Sequence, residues 1–185
     1  MLETLKEWDK ALLVFLNNLG IESYDGFWLF VTRIESWTVL FVFFTLLIFY
    51  FYKKKKGLVV FGFALLSFGL TFLLTNVTKL WIGRLRPNNE IDFTDLIRVL
   101  QEPTSFSFFS GHASSSFAIV TFLVLVIRPF NRWIYLAYIW PLLFAMSRIY
   151  VGVHYPSDIL IGALVGTVIA IVCYRICKIL LRRLQ

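Results

Sequence analysis

Long apolar runs separated by short polar segments dominate the chain from residue 34 onward. An α-helix needs roughly 20 residues, at 1.5 Å each, to cross a hydrocarbon core of about 30 Å. Five of the runs are close to that length, so each predicts a transmembrane helix. The predicted spans cover about residues 34–52, 57–80, 111–127, 133–150 and 157–180.

The N-terminal segment before Gly20 has a different pattern, in which apolar and charged residues recur with helical spacing. It is too polar to span and predicts an amphipathic helix in the membrane interface. We therefore expect an all-α membrane protein with about five transmembrane helices and one interfacial helix. It forms a single domain, 1–185, with the interfacial helix and turn in 1–26 and the bundle in 27–185. The apolar positions of the interfacial helix are Leu2, Leu5, Trp8, Leu12, Phe15, Leu16 and Leu19.

The composition agrees with a membrane location. Hydrophobic residues make up 59% of the chain and the mean hydropathy is +0.78, whereas soluble domains are about 45–50% apolar. Cys173 and Cys177 lie four apart in the last apolar run, and we interpret them as packing residues. Gly162 and Gly166 form a small-xxx-small pattern that favours helix packing inside the bundle, with a dimer interface as the alternative. No oligomeric state is predicted.

The distribution of basic residues predicts the topology. Cytoplasmic loops carry an excess of Lys and Arg, so the four lysines 53–56 place their end of the bundle in the cytoplasm and the polar loop 87–107 outside. The net charge of +7 is spread over helix ends rather than one patch, so no nucleic-acid partner is expected. No removable signal peptide is expected, because no basic segment precedes an apolar core and cleavage site. The ten cytoplasmic cations are Lys53, Lys54, Lys55, Lys56, Arg128, Arg132, Arg175, Lys178, Arg182 and Arg183.

Three polar segments converge at the predicted outer ends of spans two to five, namely residues 79–87, 109–112 and 147–158. Charged groups beside lipid are costly unless they are paired or functional, so these segments are the candidate site. Taken alone, Lys79 and Arg86 would be interpreted as cations that extend from a helix end to the interface. The outer cations, which topology does not explain, are Lys79, Arg84, Arg86, Arg98 and Arg148.

The spacing of His154 and Asp158 brings two complementary groups together. Four residues separate them, so the carboxylate can accept a proton from one imidazole nitrogen and determine which nitrogen stays free. Asp158 also has a structural interpretation, because Pro156 predicts a helix start and an acidic side chain in the first turn complements the helix dipole. Ser110 predicts the N-cap of span three, where free N–H groups can also bind an anion.

These segments resemble the three signature motifs of the type 2 phosphatidic acid phosphatase superfamily, and the resemblance covers about residues 57–180. The first and third motifs match completely. The second, proline-serine-glycine-histidine, departs at Phe109, where the family has proline, and this departure is expected to alter the path of the loop more than the chemistry. In motif order, the matching residues are Lys79, Arg86 and Pro87; Ser110, Gly111 and His112; Ser147, Arg148, His154 and Asp158.

The resemblance implies a phosphatase that works through a phosphohistidine intermediate. His154 would be the nucleophile, Asp158 would orient it, and His112 would protonate the departing oxygen and then activate water. No cofactor and no metal ion are implied, and the acidic residues of loop 87–107 lack the histidine neighbours of a metal site. The residues expected to bind the phosphate are Lys79, Arg86, Ser110, Gly111 and Arg148.

A site at the outer interface suits a lipid phosphate, whose headgroup emerges from the bilayer at that depth. Undecaprenyl diphosphate is the first expectation, because Arg84 and Arg98 could meet a second phosphate, although each is more simply interpreted as an interfacial anchor. Lipid A 1-phosphate, phosphatidylglycerophosphate and phosphatidic acid are the alternatives. A non-catalytic lipid-binding scaffold and a vanadium haloperoxidase are the other classes of protein that the pattern leaves open.

The resemblance and the charge distribution together predict a bacterial inner membrane protein whose site faces the periplasm or the cell exterior. Loop 88–107 alternates apolar and charged residues. It is expected either to rest on the membrane surface and gate access to the site, or to form a short interfacial helix that shields the bundle.

Overall fold

The computed structural model describes residues 2–90 and 93–184, and within these ranges all regular structure is helical. Ile91 and Asp92, which belong to the predicted outer loop, lie outside the described residues. The predicted all-α class is confirmed. The α-helices are α1 (Leu2–Asn18), α2 (Asp25–Val31), α3 (Thr38–Phe51), α4 (Lys54–Ile82), α5 (Gly111–Ile127), α6 (Ile139–Tyr150) and α7 (Pro156–Arg183).

Each predicted span corresponds to a helical segment. Among the described residues, three segments are long and apolar enough to cross a membrane, namely Ile34–Phe51, Lys54–Asn89 and Pro156–Arg183. The third predicted span is the 17-residue α5. The fourth is a 3₁₀ segment, Arg132–Tyr138, that continues directly into α6. The observed ends differ from the predicted ones by a few residues.

Helices α5 and α7 form the tightly packed centre of the bundle. A Cβ added at Gly162 would lie 2.7 Å from Ser110 O, and one added at Gly166 would lie 2.0 Å from Ser114 O. Small residues permit this close approach of two backbones. The small-xxx-small pattern of α7 therefore serves packing within the bundle, as favoured from the sequence. Cys173 and Cys177 are buried and free in the apolar cluster of the same helix.

Helix α1 binds the bundle through the face that carries Asp9, Leu13 and Asn17. Leu13 and Asn17 are fully buried. The Asn17 amide donates to three backbone carbonyls, at 2.9–3.1 Å, and accepts from Arg98 N at 2.7 Å. The other face remains exposed, as an interfacial helix requires. Its large apolar side chains are Leu5, Trp8, Leu12, Phe15 and Leu19.

The outer loop packs onto the bundle instead of extending over the membrane. Phe93 and Ile97 are buried in a cluster with Tyr155 and residues of α1. Phe93 and Ile97 of loop 88–107 therefore cover protein, whereas Leu96 is exposed. The described part of the loop forms two short 3₁₀ turns and not the alternative interfacial helix. These turns are Pro87–Asn89 and Thr94–Leu96. A role of the loop in gating access to the site stays a prediction.

Candidate active site

The three polar segments meet at one end of the bundle because four helices begin or end there. Helix α4 ends at Ile82 and is capped by Gly83, whose left-handed conformation (φ 63°) directs the chain towards the following arginines. Ser110 is the N-cap of α5, Arg148 lies in the last turn of α6, and Pro156 begins α7. The predicted N-cap and helix start are thus confirmed.

His154 and Asp158 form a buried pair, with 1% and 0% of their surfaces exposed. His154 Nδ1 lies 3.3 Å from Asp158 Oδ2, and Tyr155 N donates to the same oxygen at 3.0 Å. Ser107 Oγ also donates to Asp158 Oδ2 and lies 3.3 Å from His154 Nδ1. Because a carboxylate only accepts, the proton of the neutral imidazole is on Nδ1 and the lone pair is on Nε2.

The free nitrogen of His154 faces a cation. Arg86 Nη1 donates to His154 Nε2 at 3.1 Å. Burial, followed by the positive charge of Arg86, lowers the pKa of His154 well below its ordinary value, because both disfavour the imidazolium. A neutral imidazole with an available lone pair is able to attack an electrophile such as phosphorus.

Three cations around His154 bind neutral partners only, among the residues that the structure describes. Lys79 is half-buried, and Arg86 and Arg148 are buried. No carboxylate in the described part of the chain lies within 4.0 Å of their nitrogens. Their uncompensated charge makes this end of the bundle suited to an anion. The acceptors are Phe106 O for Lys79 (2.8 Å); Ser105 O, Ser105 Oγ and Val153 O for Arg86 (2.6, 3.0 and 3.0 Å); and Thr32 Oγ1 and Gln101 Oε1 (2.9 Å) for Arg148.

The second motif is tied to the third and to the N-terminal part of the chain. Ser110 N donates to Asp158 O at 3.0 Å. His112 Nε2 lies 3.1 Å from Thr32 O, and its ring stacks on Phe144 at 4.4 Å. A carbonyl only accepts, so His112 Nε2 carries a proton and Nδ1 is the nitrogen left out of this contact. The first backbone hydrogen bond of α5 runs from Ser114 N to Ser110 O. The N–H of Gly111 therefore precedes the intrahelical hydrogen bonds.

Sequence reasoning missed Thr32, Gln101, Ser105 and Ser107, all of which hold motif side chains in place. Ser105 and Ser107 immediately precede the second motif in the run Ser-Phe-Ser-Phe-Phe-Ser, and that proximity was the one available signal. Thr32 and Gln101 belong to no motif. Their contacts with Arg148 bridge distant parts of the chain.

Arg84 and Arg98 are ion-paired. Arg84 lies 2.8 Å from both Asp9 Oδ2 and Asp158 Oδ1. Arg98 Nη2 donates to both carboxylate oxygens of Asp25 at 2.8 Å. Both arginines therefore have aspartate partners within the protein, and their compensated charges weaken the reason for assigning them to a second phosphate. Their expected role as interfacial anchors stays a prediction.

An apolar cavity of about 250 Å³ lies beside His112, between α3 and helices α4 to α6. Phe144, whose ring stacks on His112, lines it. The cavity is therefore placed to receive a hydrocarbon chain attached to a group at the candidate site. Other lining side chains are Phe41, Phe44, Ile48, Phe61, Phe68 and Trp140.

Comparisons with known proteins give one consistent family. The profile of the PAP2 superfamily matches residues 60–181. A lipid A 4'-phosphatase of Porphyromonas gingivalis is 30% identical over 183 residues, which cover 95% of this chain and 75% of that protein. An undecaprenyl-diphosphatase of Sulfolobus acidocaldarius is 30% identical over 90% of this chain and 69% of its own length.

A similar fold occurs in a solved structure. The crystal structure of a transmembrane PAP2-type phosphatidylglycerolphosphate phosphatase from Bacillus subtilis superposes with a TM-score of 0.73. The alignment covers 98% of this chain and 88% of that protein at 23% identity. Helix α1 and Thr32, which touch the candidate site, lie outside the region matched by the family profile.

Proposed function

This chain belongs to the PAP2 superfamily and is a membrane lipid phosphatase, and on that premise we propose that it hydrolyses a lipid phosphate without a metal ion, through a phosphohistidine on His154. The observation that carries the proposal is the state of His154. Its Nδ1 is hydrogen-bonded to Asp158, and its unprotonated Nε2 lies among three cations that no described carboxylate compensates.

The charges of the site suit phosphoryl transfer. The phosphoryl group spreads negative charge over three equatorial oxygens as it is transferred, so catalysis needs positioned cations and N–H donors. Lys79, Arg86 and Arg148 supply the cations, and the N-terminus of α5 at Ser110 and Gly111 supplies N–H groups. These positive side chains provide the charge stabilisation that divalent ions give in other phosphatases.

The reaction proceeds in two displacements. His154 Nε2 attacks phosphorus, an N–P bond forms, and the bond between phosphorus and the lipid oxygen breaks as that oxygen takes a proton from His112. Asp158 stabilises the positive charge on the phosphorylated imidazole through Nδ1–H. Water then gives a proton to His112 and attacks phosphorus, which breaks the N–P bond and releases phosphate.

A single phosphate on a glycolipid of the lipid A type is the first candidate substrate. The similar lipid A 4'-phosphatase covers nearly the whole chain, and the apolar cavity beside His112 is suited to an acyl chain. Undecaprenyl diphosphate, the expectation from the sequence, is the second candidate and is favoured by the similar undecaprenyl-diphosphatase. It is placed second because Arg84 and Arg98 are engaged by aspartates.

The site faces the outside of a bacterial inner membrane in this proposal. The support is the charge distribution along the helices, since the ten cations assigned to the cytoplasm occur at the ends opposite the motif residues.

Purified protein in detergent and excess chelator tests the function. We expect phosphate release from a panel of lipid A, undecaprenyl diphosphate, phosphatidylglycerophosphate and phosphatidic acid, with the highest kcat/KM on lipid A. Vanadate, which mimics the trigonal bipyramidal geometry, should inhibit. Full activity of His154→Ala, in protein with an unchanged thermal unfolding midpoint, would contradict the role of His154, and dependence on added metal would contradict the metal-free reaction.

A further inference from the structure

Arg84 lies between two carboxylates, and one of them is the proposed partner of the nucleophile. Its Nη1 donates to Asp158 Oδ1 and its Nη2 donates to Asp9 Oδ2, both at 2.8 Å. The Arg84 side chain is 23% exposed and that of Asp9 is 11% exposed, so the pairs are partly desolvated. A continuous chain of charge-assisted hydrogen bonds thus runs from Asp9 in α1 to Asp158 in α7.

Further contacts determine the orientation of Arg84. Its guanidinium lies over the Tyr155 ring, 3.9 Å from the centroid, and Nη1 also donates to Ser157 Oγ at 2.8 Å. Asp9 accepts from Ser157 N at 2.9 Å and from the Ser157 hydroxyl. Arg84 therefore binds its partners with the planar, directional geometry that a lysine does not reproduce.

The two oxygens of Asp158 have separate partners. Oδ2 takes His154 Nδ1, Ser107 Oγ and Tyr155 N, whereas Oδ1 takes Arg84. A carboxylate held at both oxygens cannot rotate away from the imidazole. If Arg84 were the only neighbour, its charge would cancel that of Asp158. Asp9 restores a formal charge of −1 to the three groups, next to the imidazole that becomes positive when it is phosphorylated.

We propose that Arg84 and Asp9 are positioning residues of this reaction: Arg84 holds Asp158 in the orientation that serves His154, and Asp9 holds Arg84 and offsets its charge. The inference rests on the proposed role of His154 as nucleophile. It gives the interfacial helix α1, which lies outside the region matched by the family profile, a contribution to the active site.

Replacing either residue should change the protonation of His154 in a predictable direction. Removing the Arg84 cation raises the pKa of His154, since that charge contributes to its lowering, whereas removing the Asp9 anion lowers it further. The acid limb of kcat/KM, which reports the free enzyme, should therefore shift in opposite directions. The charged or titratable groups around His154 are Asp158, Arg86, Arg148, Lys79, Arg84 and His112.

The test compares Arg84→Gln, Arg84→Lys and Asp9→Asn with the wild type, using a lipid phosphate that the wild type hydrolyses. For Arg84→Gln we expect kcat to fall about 10- to 100-fold, as for loss of a hydrogen bond to a charged group, with KM changed less than about threefold. The acid limb should move to higher pH. In Arg84→Lys the acid limb should return to its wild-type pH, because the cation is kept, whereas kcat should recover only in part. In Asp9→Asn the acid limb should move to lower pH.

Arg98→Gln is the matched control, because it breaks an arginine–aspartate pair that touches neither His154 nor Asp158. Its acid limb should coincide with that of the wild type. Unchanged kcat and an unchanged limb in Arg84→Gln would overturn the inference, as would shifts in the same direction in Arg84→Gln and Asp9→Asn. If Arg84→Gln does not fold, kcat and the acid limbs of Arg84→Lys and Asp9→Asn test the inference. Activity of His154→Ala would contradict the proposed function instead, so the two failures are distinguishable.

Discussion

His154 combines two properties that seldom occur together, since it is buried almost completely and yet surrounded by positive charge. Both disfavour the imidazolium, and Asp158 is the one anion in direct contact with the ring among the described residues. The result is a histidine kept neutral in the resting site. In the proposed reaction the attacking nitrogen, Nε2, is covered by Arg86, so the phosphate has to replace this contact before attack begins.

This arrangement predicts the acid limit of activity. Below its ordinary pKa of about 6.5 a free histidine gains a proton, but the lowered pKa of His154 keeps it neutral to lower pH. We expect the acid limb of kcat/KM, where His154 gains its proton, to lie below pH 6.5. The measurement is a pH profile of kcat/KM. It is corrected for the ionisation of the lipid phosphate, which is determined separately by ³¹P NMR. A limb at or above pH 6.5 after this correction would contradict the assignment.

At the residue scale, sequence spacing was sufficient where chemistry lies within one local segment. The contact between His154 and Asp158 follows from a separation of four residues, and Ser110 and Pro156 predict the starts of two helices. Thr32 was not predictable, because its bond to Arg148 joins positions 116 residues apart. Backbone acceptors such as Phe106 O have no sequence signature at all, since every residue carries a carbonyl.

At the scale of elements, the site depends on the register between α5 and α7. Helix α5 presents Ser110 and His112 at its first turn, and α7 presents Asp158 at its own. The two helices meet at Gly162 and Gly166 with no room for a side chain. The packing of α5 against α7 thereby determines the distances between the candidate catalytic residues that the two helices carry.

Gly166→Ala should therefore impair both stability and activity. The added Cβ would lie 2.0 Å from Ser114 O, so the helices must separate, and overpacking of this kind costs about 1–3 kcal/mol. We expect a lower thermal unfolding midpoint in detergent and a reduced kcat. Gly62→Ala in α4 is the control, because nothing lies within 4 Å of its added Cβ and alanine favours a helix. A wild-type midpoint for Gly166→Ala would contradict this account.

The pattern of polar and apolar residues predicts the spans well but predicts the contacts of α1 and of loop 88–107 poorly. The spans were predictable because apolar length has one dominant explanation in a membrane protein. In α1, however, the polar side that would be expected to face water carries Asp9 and Asn17, which bind the bundle. The contacts of loop 88–107 were not predictable for a related reason. Its apolar residues can cover either lipid or protein, and Phe93 and Ile97 cover protein.

For the whole molecule, charge is divided between two ends. The motif residues gather where α4 ends and α5 and α7 begin, whereas the lysines before α4 and the arginines at the end of α7 lie at the other end. An excess of Lys and Arg favours the cytoplasmic side. In the proposed topology, the same division separates the cations expected to set orientation from those expected to bind the substrate.

The predicted orientation can be tested with single added cysteines, because the native Cys173 and Cys177 are buried and react poorly. Lys55→Cys probes the lysine-rich end and Asn89→Cys the site end, and both positions are exposed. With intact spheroplasts and a membrane-impermeant maleimide, we expect Asn89→Cys to be labelled at once and Lys55→Cys only after permeabilisation. The unsubstituted protein controls for background labelling. Labelling of Lys55→Cys but not Asn89→Cys before permeabilisation would show the opposite topology. The phosphate site would then open to the cytoplasm, against the orientation that the positive-inside rule predicts.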